Sequence, residues 1–165
     1  MNPRTITLFS FLFFSSLFSA SAQIHLQVRA ESENQTVNKK ALDEIRGHWL
    51  AVEVSNGSAA KLEGLVLKWT LYASNLQRGT NDIVAEKSGE SKIILDVGKH
   101  EHLITPKVPF KWTPRHSDKT GSGRSAKYKK VDETGHRYYG YHVQVLNGET
   151  VVGEAYSQDS LKHLD

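Results

Sequence analysis

From Gln23 onward the chain alternates apolar and polar residues at a period of two, the signature of strands that bury one face. In residues 23–30, Ile24, Leu26, Val28 and Ala30 fall on one side, and Gln23, His25, Gln27 and Arg29 on the other. Residues 48–55 repeat the pattern with Leu50, Val52 and Val54 in phase, and residues 65–72 with Leu65, Leu67, Trp69 and Leu71. Trp69 is the foremost core candidate, since an indole in mid-strand buries more apolar area than its neighbours. Shorter runs follow at 83–85, 93–97 and 101–108, separated by polar stretches at 73–82 and 87–91 and by Gly98. Pro106 and Pro109 mark a strand exit or an edge, because proline cannot donate to a ladder. Residues 31–47 are polar and read as a connection or a helical turn.

The segment 138–157 organises the rest. Asn147-Gly148 between two β-rich runs is a strong hairpin signal, as both residues tolerate positive φ. Counting from that turn sets Leu146 opposite Glu149, Val145 opposite Thr150, Val143 opposite Val152, Tyr141 opposite Glu154 and Tyr139 opposite Tyr156. Tyr139 and Tyr141 then share the core side with Val143 and Val145, while Tyr138 points outward. Glu154 is the misfit, which calls for a rim position or a bulge near Gly153. The sum is about seven or eight short strands with turn signals between them and no amphipathic helix, which predicts an all-β, antiparallel two-sheet sandwich.

Composition adds the compartment. Arg4, the short apolar run at 8–18 and the small residues Ala20-Ser21-Ala22 have the layout of a signal peptide over residues 1–22. The apolar run falls short of the ~20 residues a membrane span needs. The expected organisation is therefore a leader at 1–22, one sandwich domain at 23–157 with a basic loop at 111–130, and a polar tail at 158–165. The protein is expected to be secreted or periplasmic. The chain of 165 residues has no cysteine, which excludes disulfides, thiolate metal sites and thiol nucleophiles together. The sequons at Asn34 and Asn56 are read as chance. The formal charge of +3, one unit less without Arg4, is too small to drive nucleic-acid binding over the whole surface.

The pattern resembles an immunoglobulin or fibronectin type III-like sandwich from Trp49 to Tyr156. Trp69 matches the tryptophan of the third strand, and Tyr141-His142-Val143 has the Tyr-x-Cys form with valine in place of cysteine. Val52 or Val54 would stand at the other cysteine position. The resemblance implies an architecture and nothing about activity, since such sandwiches host unrelated functions.

Charge is concentrated in one segment. Residues 111–130 hold Lys111, Arg115, Lys119, Arg124, Lys127, Lys129 and Lys130 against the single acid Asp118, with Trp112 and Tyr128 at the ends. A glycine- and serine-rich loop on a rigid sheet is a common home for binding residues. Lys111, Trp112, Arg115, Arg124, Lys127, Tyr128, Lys129 and Lys130 are the candidate contacts for an anionic partner. Trp112 and Tyr138 are the rings left to stack on a sugar.

Catalytic chemistry finds no foothold. There is no G-x-S-x-G elbow and no phosphate-binding glycine loop, and Glu53, Asp96 and Glu154 read as strand-face or turn residues. His100-Glu101-His102 puts two imidazoles on one side of a strand, with His136 or His142 as conceivable further ligands, but exposed edge-strand histidines explain the pattern. No cofactor or metal is expected. The expected role is a noncatalytic binding or accessory module that recognises an anionic partner through the 111–130 loop, with an anionic polysaccharide or an envelope protein as the candidate partners. The alternatives are a carbohydrate-binding module and a structural subunit that pairs its edge strands with a larger envelope protein.

Overall fold

The computed structural model describes residues 24–35, 42–77, 82–122 and 126–164, so the leader at 1–22 and Arg124 lie outside the described residues. Ten strands follow in order: β1 (Ile24–Gln35), β2 (Glu44–Asn56), β3 (Leu62–Asn75), β4 (Asp82–Leu95), β5 (His100–Ile104), β6 (Val108–Thr113), β7 (His116–Thr120), β8 (Lys127–Val131), β9 (Thr134–Asn147) and β10 (Thr150–Tyr156). A short 3-10 turn, Asp159–His163, closes the chain. Eight strands build an all-β antiparallel sandwich, and β7 and β8 form a separate two-stranded ribbon.

In one layer β2 is central, with β1 on one edge and β5 and β6 on the other. In the second, β3 is central between β4 and β9, and β10 pairs with β9. The layers are joined where Trp112 and Thr113 of β6 pair with Gly135 and Thr134 of β9. Period-two alternation explains the core directly. Leu50, Val52 and Val54 from β2 meet Leu65, Leu67, Trp69 and Leu71 from β3, with Phe110, Val143 and Val145 completing the interior. Tyr141 crosses between layers, its hydroxyl donating to the Val28 carbonyl at 3.3 Å. The Asn56 side chain turns inward and is almost fully buried. It donates to the Ala60 and Leu95 carbonyls at 2.8 and 3.1 Å and accepts from Ser58 N–H at 2.9 Å, tying the β2–β3 turn to the end of β4.

β4 corrects the expected break at 87–91. The polar run Lys87-Ser88-Gly89-Glu90-Ser91 stays in the ladder, with Gly89 opposite Trp69. Ser88 and Glu90 share the outer face with Thr70 and Lys68, while Lys87, Gly89 and Ser91 lie opposite Leu71, Trp69 and Leu67, so polarity there marks an edge strand rather than a turn. The glycine answers the indole, for a Cβ on Gly89 would sit 2.5 Å from Trp69 Cζ2. Trp69 itself is only 5% exposed.

The last hairpin differs in register by a small step with a large effect. Asn147 pairs with Thr150, so the two-residue loop is Gly148-Glu149 rather than Asn147-Gly148. Gly148 at the first loop position, with φ of 61°, supplies the positive φ of a primed hairpin turn, and Asn147 stays in the strand. A bulge between Val151 and Gly153 then moves the pairing on, setting Gly153 opposite Val145 and Glu154 opposite Gln144. Glu154 thereby leaves the core side.

A second irregularity, at Tyr139, inverts the expected order of the tyrosines. Opposite β3, the register passes from Gly140 to Tyr138 and skips Tyr139. Tyr138 therefore turns inward, stacking on His48 with ring centroids 4.0 Å apart and meeting Phe110 edge-on at 5.4 Å. Tyr139 turns outward, its hydroxyl 2.8 Å from Ser160 Oγ. The Tyr138 hydroxyl is buried with no hydrogen-bond partner among the described residues, and burial pushes its pKa up to about 12. An unsatisfied buried hydroxyl costs about 1–3 kcal/mol. Tyr138→Phe, which keeps the ring contacts, is therefore expected to leave stability unchanged or raise it by about 1 kcal/mol, as read from urea denaturation; a clear loss would show that the hydroxyl has a partner.

Candidate functional site

The basic segment folds as an arm. β7 and β8 pair only with each other, His116 opposite Val131, Asp118 opposite Lys129, Lys119 opposite Tyr128 and Thr120 opposite Lys127. Such a ribbon has no buried face, which is why its sequence lacks the alternation that marks the sandwich strands. Side chains directly opposite one another share a face, so the arm has two distinct sides. One holds Ser117, Lys119, Tyr128 and Lys130, and carries no carboxylate. The other holds Asp118 opposite Lys129 and Thr120 opposite Lys127, with His116 Nε2 3.3 Å from the Asp118 carboxylate.

Tyr128 is 69% exposed. A large ring held out on a ribbon, with Lys119 opposite it and Lys130 two residues along on the same side, offers a flat face with cations beside it. Lys119 belongs to the basic run but is not among the candidate contacts that the sequence suggests. Strand pairing brings it beside Tyr128, and no linear spacing signals that neighbour.

The remaining candidates sit at the root of the arm, where carboxylates meet them. Lys111 Nζ lies 2.7 Å from Asp43 Oδ2, and Thr113 donates to the same carboxylate at 2.6 Å. These two donors hold the Asp43 carboxyl below the usual carboxylate range. Arg115 Nε is 3.4 Å from Asp132 Oδ1. Trp112, on β6, lies half-buried under the Arg46 guanidinium, 5.9 Å from the ring centroid. Neither proposed sugar-stacking ring is left as an open platform, because Tyr138 is packed inside and Trp112 carries Arg46.

The histidines are dispersed. His100 Nδ1 is 3.0 Å from Glu53 Oε1 on the outer face of the first layer. His136 pairs with Glu86 at 2.7 Å and His142 with Glu154 at 3.0 Å. Among the described residues no group of three or more metal-ligating side chains comes together, and no helix is long and apolar enough to cross a membrane.

No family model and no curated protein matches the chain. Among solved structures, a crystal structure from Akkermansia muciniphila aligns over 82% of this chain and 72% of its own at 11% identity, with a TM-score of 0.27. A likeness that loose carries no argument about function.

Proposed function

We propose that the protein is an exported, noncatalytic binding module whose β7–β8 arm engages an anionic polysaccharide. The observation that supports this reading is the carboxylate-free side of the arm, where Lys119 and Lys130 accompany the exposed Tyr128 ring. Lysines without carboxylates on their own side attract a polyanion through the screened field of the surface. A rigid sandwich beneath the arm supplies a fixed base. Export rests on the leader pattern at 1–22, which also suits a polysaccharide outside the cytoplasm.

Heparin serves as the probe. Binding to a heparin column is expected at low salt and is expected to fade as salt rises. Replacing Lys119, Tyr128 and Lys130 together by alanine is expected to weaken it about tenfold or more. Replacing Lys127 and Lys129, which share their side with Asp118, is expected to cost less. Equal retention of all three proteins would refute the arm as the contact surface.

A further inference from the structure

The outer face of the second layer carries a trough that the arm does not use. Register arranges its side chains in rows across β4, β3 and β9: Ser88, Thr70 and His142; then Glu90, Lys68 and Gln144; then Lys92, Val66 and Leu146. Rows on one face are about 7 Å apart, so three of them extend for roughly 14 Å along the strands. Two hollows of about 530 and 280 Å³ open on this face, and both are lined by Lys68 and Glu90, which makes them parts of one groove. The larger is also walled by Thr70, Ser88, His142 and Gln144, with Gly89 in its floor. The smaller is floored by Val66 and Leu146.

Four features narrow the ligand. The backbones of β3 and β9 are in ladders on both sides, so a peptide cannot be added as a strand within the floor of the trough and recognition there falls to side chains. Those side chains mix donors and acceptors at close spacing. Thr70 and Ser88 hydroxyls lie 2.9 Å apart, Lys68 donates, Glu90 accepts, and Gln144, whose Nε2 donates to Glu154 at 2.8 Å, presents its carbonyl oxygen. Such a set suits a ligand whose own groups both donate and accept, as hydroxyls do. The charge is mixed, Lys68 and Lys92 against Glu90 in the lining with Glu154 beside Gln144, so this face does not gather cations without carboxylates as the arm does. The apolar strip of Val66 and Leu146 fits the C–H face of a pyranose ring.

We infer that this trough binds an uncharged oligosaccharide, independently of the arm. The test is a titration of the folded chain, followed by backbone amide shifts, with cello-, xylo-, manno- and chitohexaose in turn. At least one of the four is expected to shift amides of β3, β4 and β9 along the trough while leaving β7 and β8 unmoved. Glu90→Ala combined with Gln144→Ala, both on the solvent side, is expected to weaken that binding about tenfold or more, with the unperturbed part of the spectrum reporting that the fold is kept. The triple arm variant is expected to bind the sugar as well as the parent does. Silence with all four sugars, shifts confined to the arm, or undiminished binding by the double variant would each overturn the inference without touching the heparin result.

Discussion

Leu161→Ala is expected to lower the free energy of unfolding by about 2–4 kcal/mol, seen as a fall in the urea midpoint at unchanged slope. The segment it belongs to reads as a polar tail, yet Leu161 is fully buried. Its 3-10 turn is held against β9 by named hydrogen bonds. Ser157 Oγ accepts from Tyr141 N–H at 2.9 Å, and Gln158 Nε2 donates to the Tyr139 carbonyl at 2.9 Å. The landing site is Gly140, where a Cβ would run into Ser157 Oγ and come within 3.0 Å of Leu161 Cδ1. Tyr72, opposite Gly140, is only 7% exposed. The tail therefore works as a lid over a strip of sheet that would otherwise face water. Removing residues 158–164 is expected to destabilise at least as much as the single substitution. A loss under about 0.5 kcal/mol from Leu161→Ala, the size of an ordinary surface change, would show that the lid adds nothing to the fold.

That lid was invisible in the sequence for a physical reason: one leucine among polar residues sets up no period. The sandwich was legible where burial imposes alternation, as at Leu50-Val52-Val54 and Leu65-Leu67-Trp69-Leu71, and there the pattern and the packing agree. It was illegible wherever a side chain's neighbour comes from another strand. The polar middle of β4 looks like a turn until Trp69 is seen lying against Gly89. Tyr138 and Tyr139 exchange sides because a single residue is skipped in the β3–β9 ladder, and one skipped residue inverts every orientation beyond it. The basic residues of the arm were visible as a cluster, but their sorting into a side with Asp118 and a side without any carboxylate depends on cross-strand register. The trough is illegible for the same reason, since β9 joins the consecutive strands β3 and β4 from far along the chain and only register aligns their side chains.

The same tyrosine displacement creates the strongest pH dependence expected of this fold. His48 is 8% exposed, sandwiched between the Tyr138 face and the Phe110 edge. Burial, with a smaller contribution from the Arg46 guanidinium, lowers its pKa from 6.5 to about 4. In the unfolded chain the imidazole takes a proton near its ordinary value, whereas in the folded chain it stays neutral until the pH is far lower. The unfolded state therefore binds more protons through this window, and stability rises with pH there. The contribution is complete above about pH 6.5, shrinks as the pH falls toward 4, and stays lost below that. At about 1.4 kcal/mol per pKa unit the loss is on the order of 3–4 kcal/mol. Asp43, Glu63, Glu154 and Asp159, whose pKa values are lowered, act at lower pH because a carboxylate held below its usual range loses its stabilisation only as the medium becomes more acid still. His48→Phe keeps a flat ring between Tyr138 and Phe110 and removes the proton site. Urea unfolding of both proteins at several values between pH 4 and 7 is expected to show this component of the slope in the parent and its absence in the variant. Parallel slopes would mean that His48 takes up its proton equally in the folded and the unfolded chain, so that its burial between the rings carries no pH dependence.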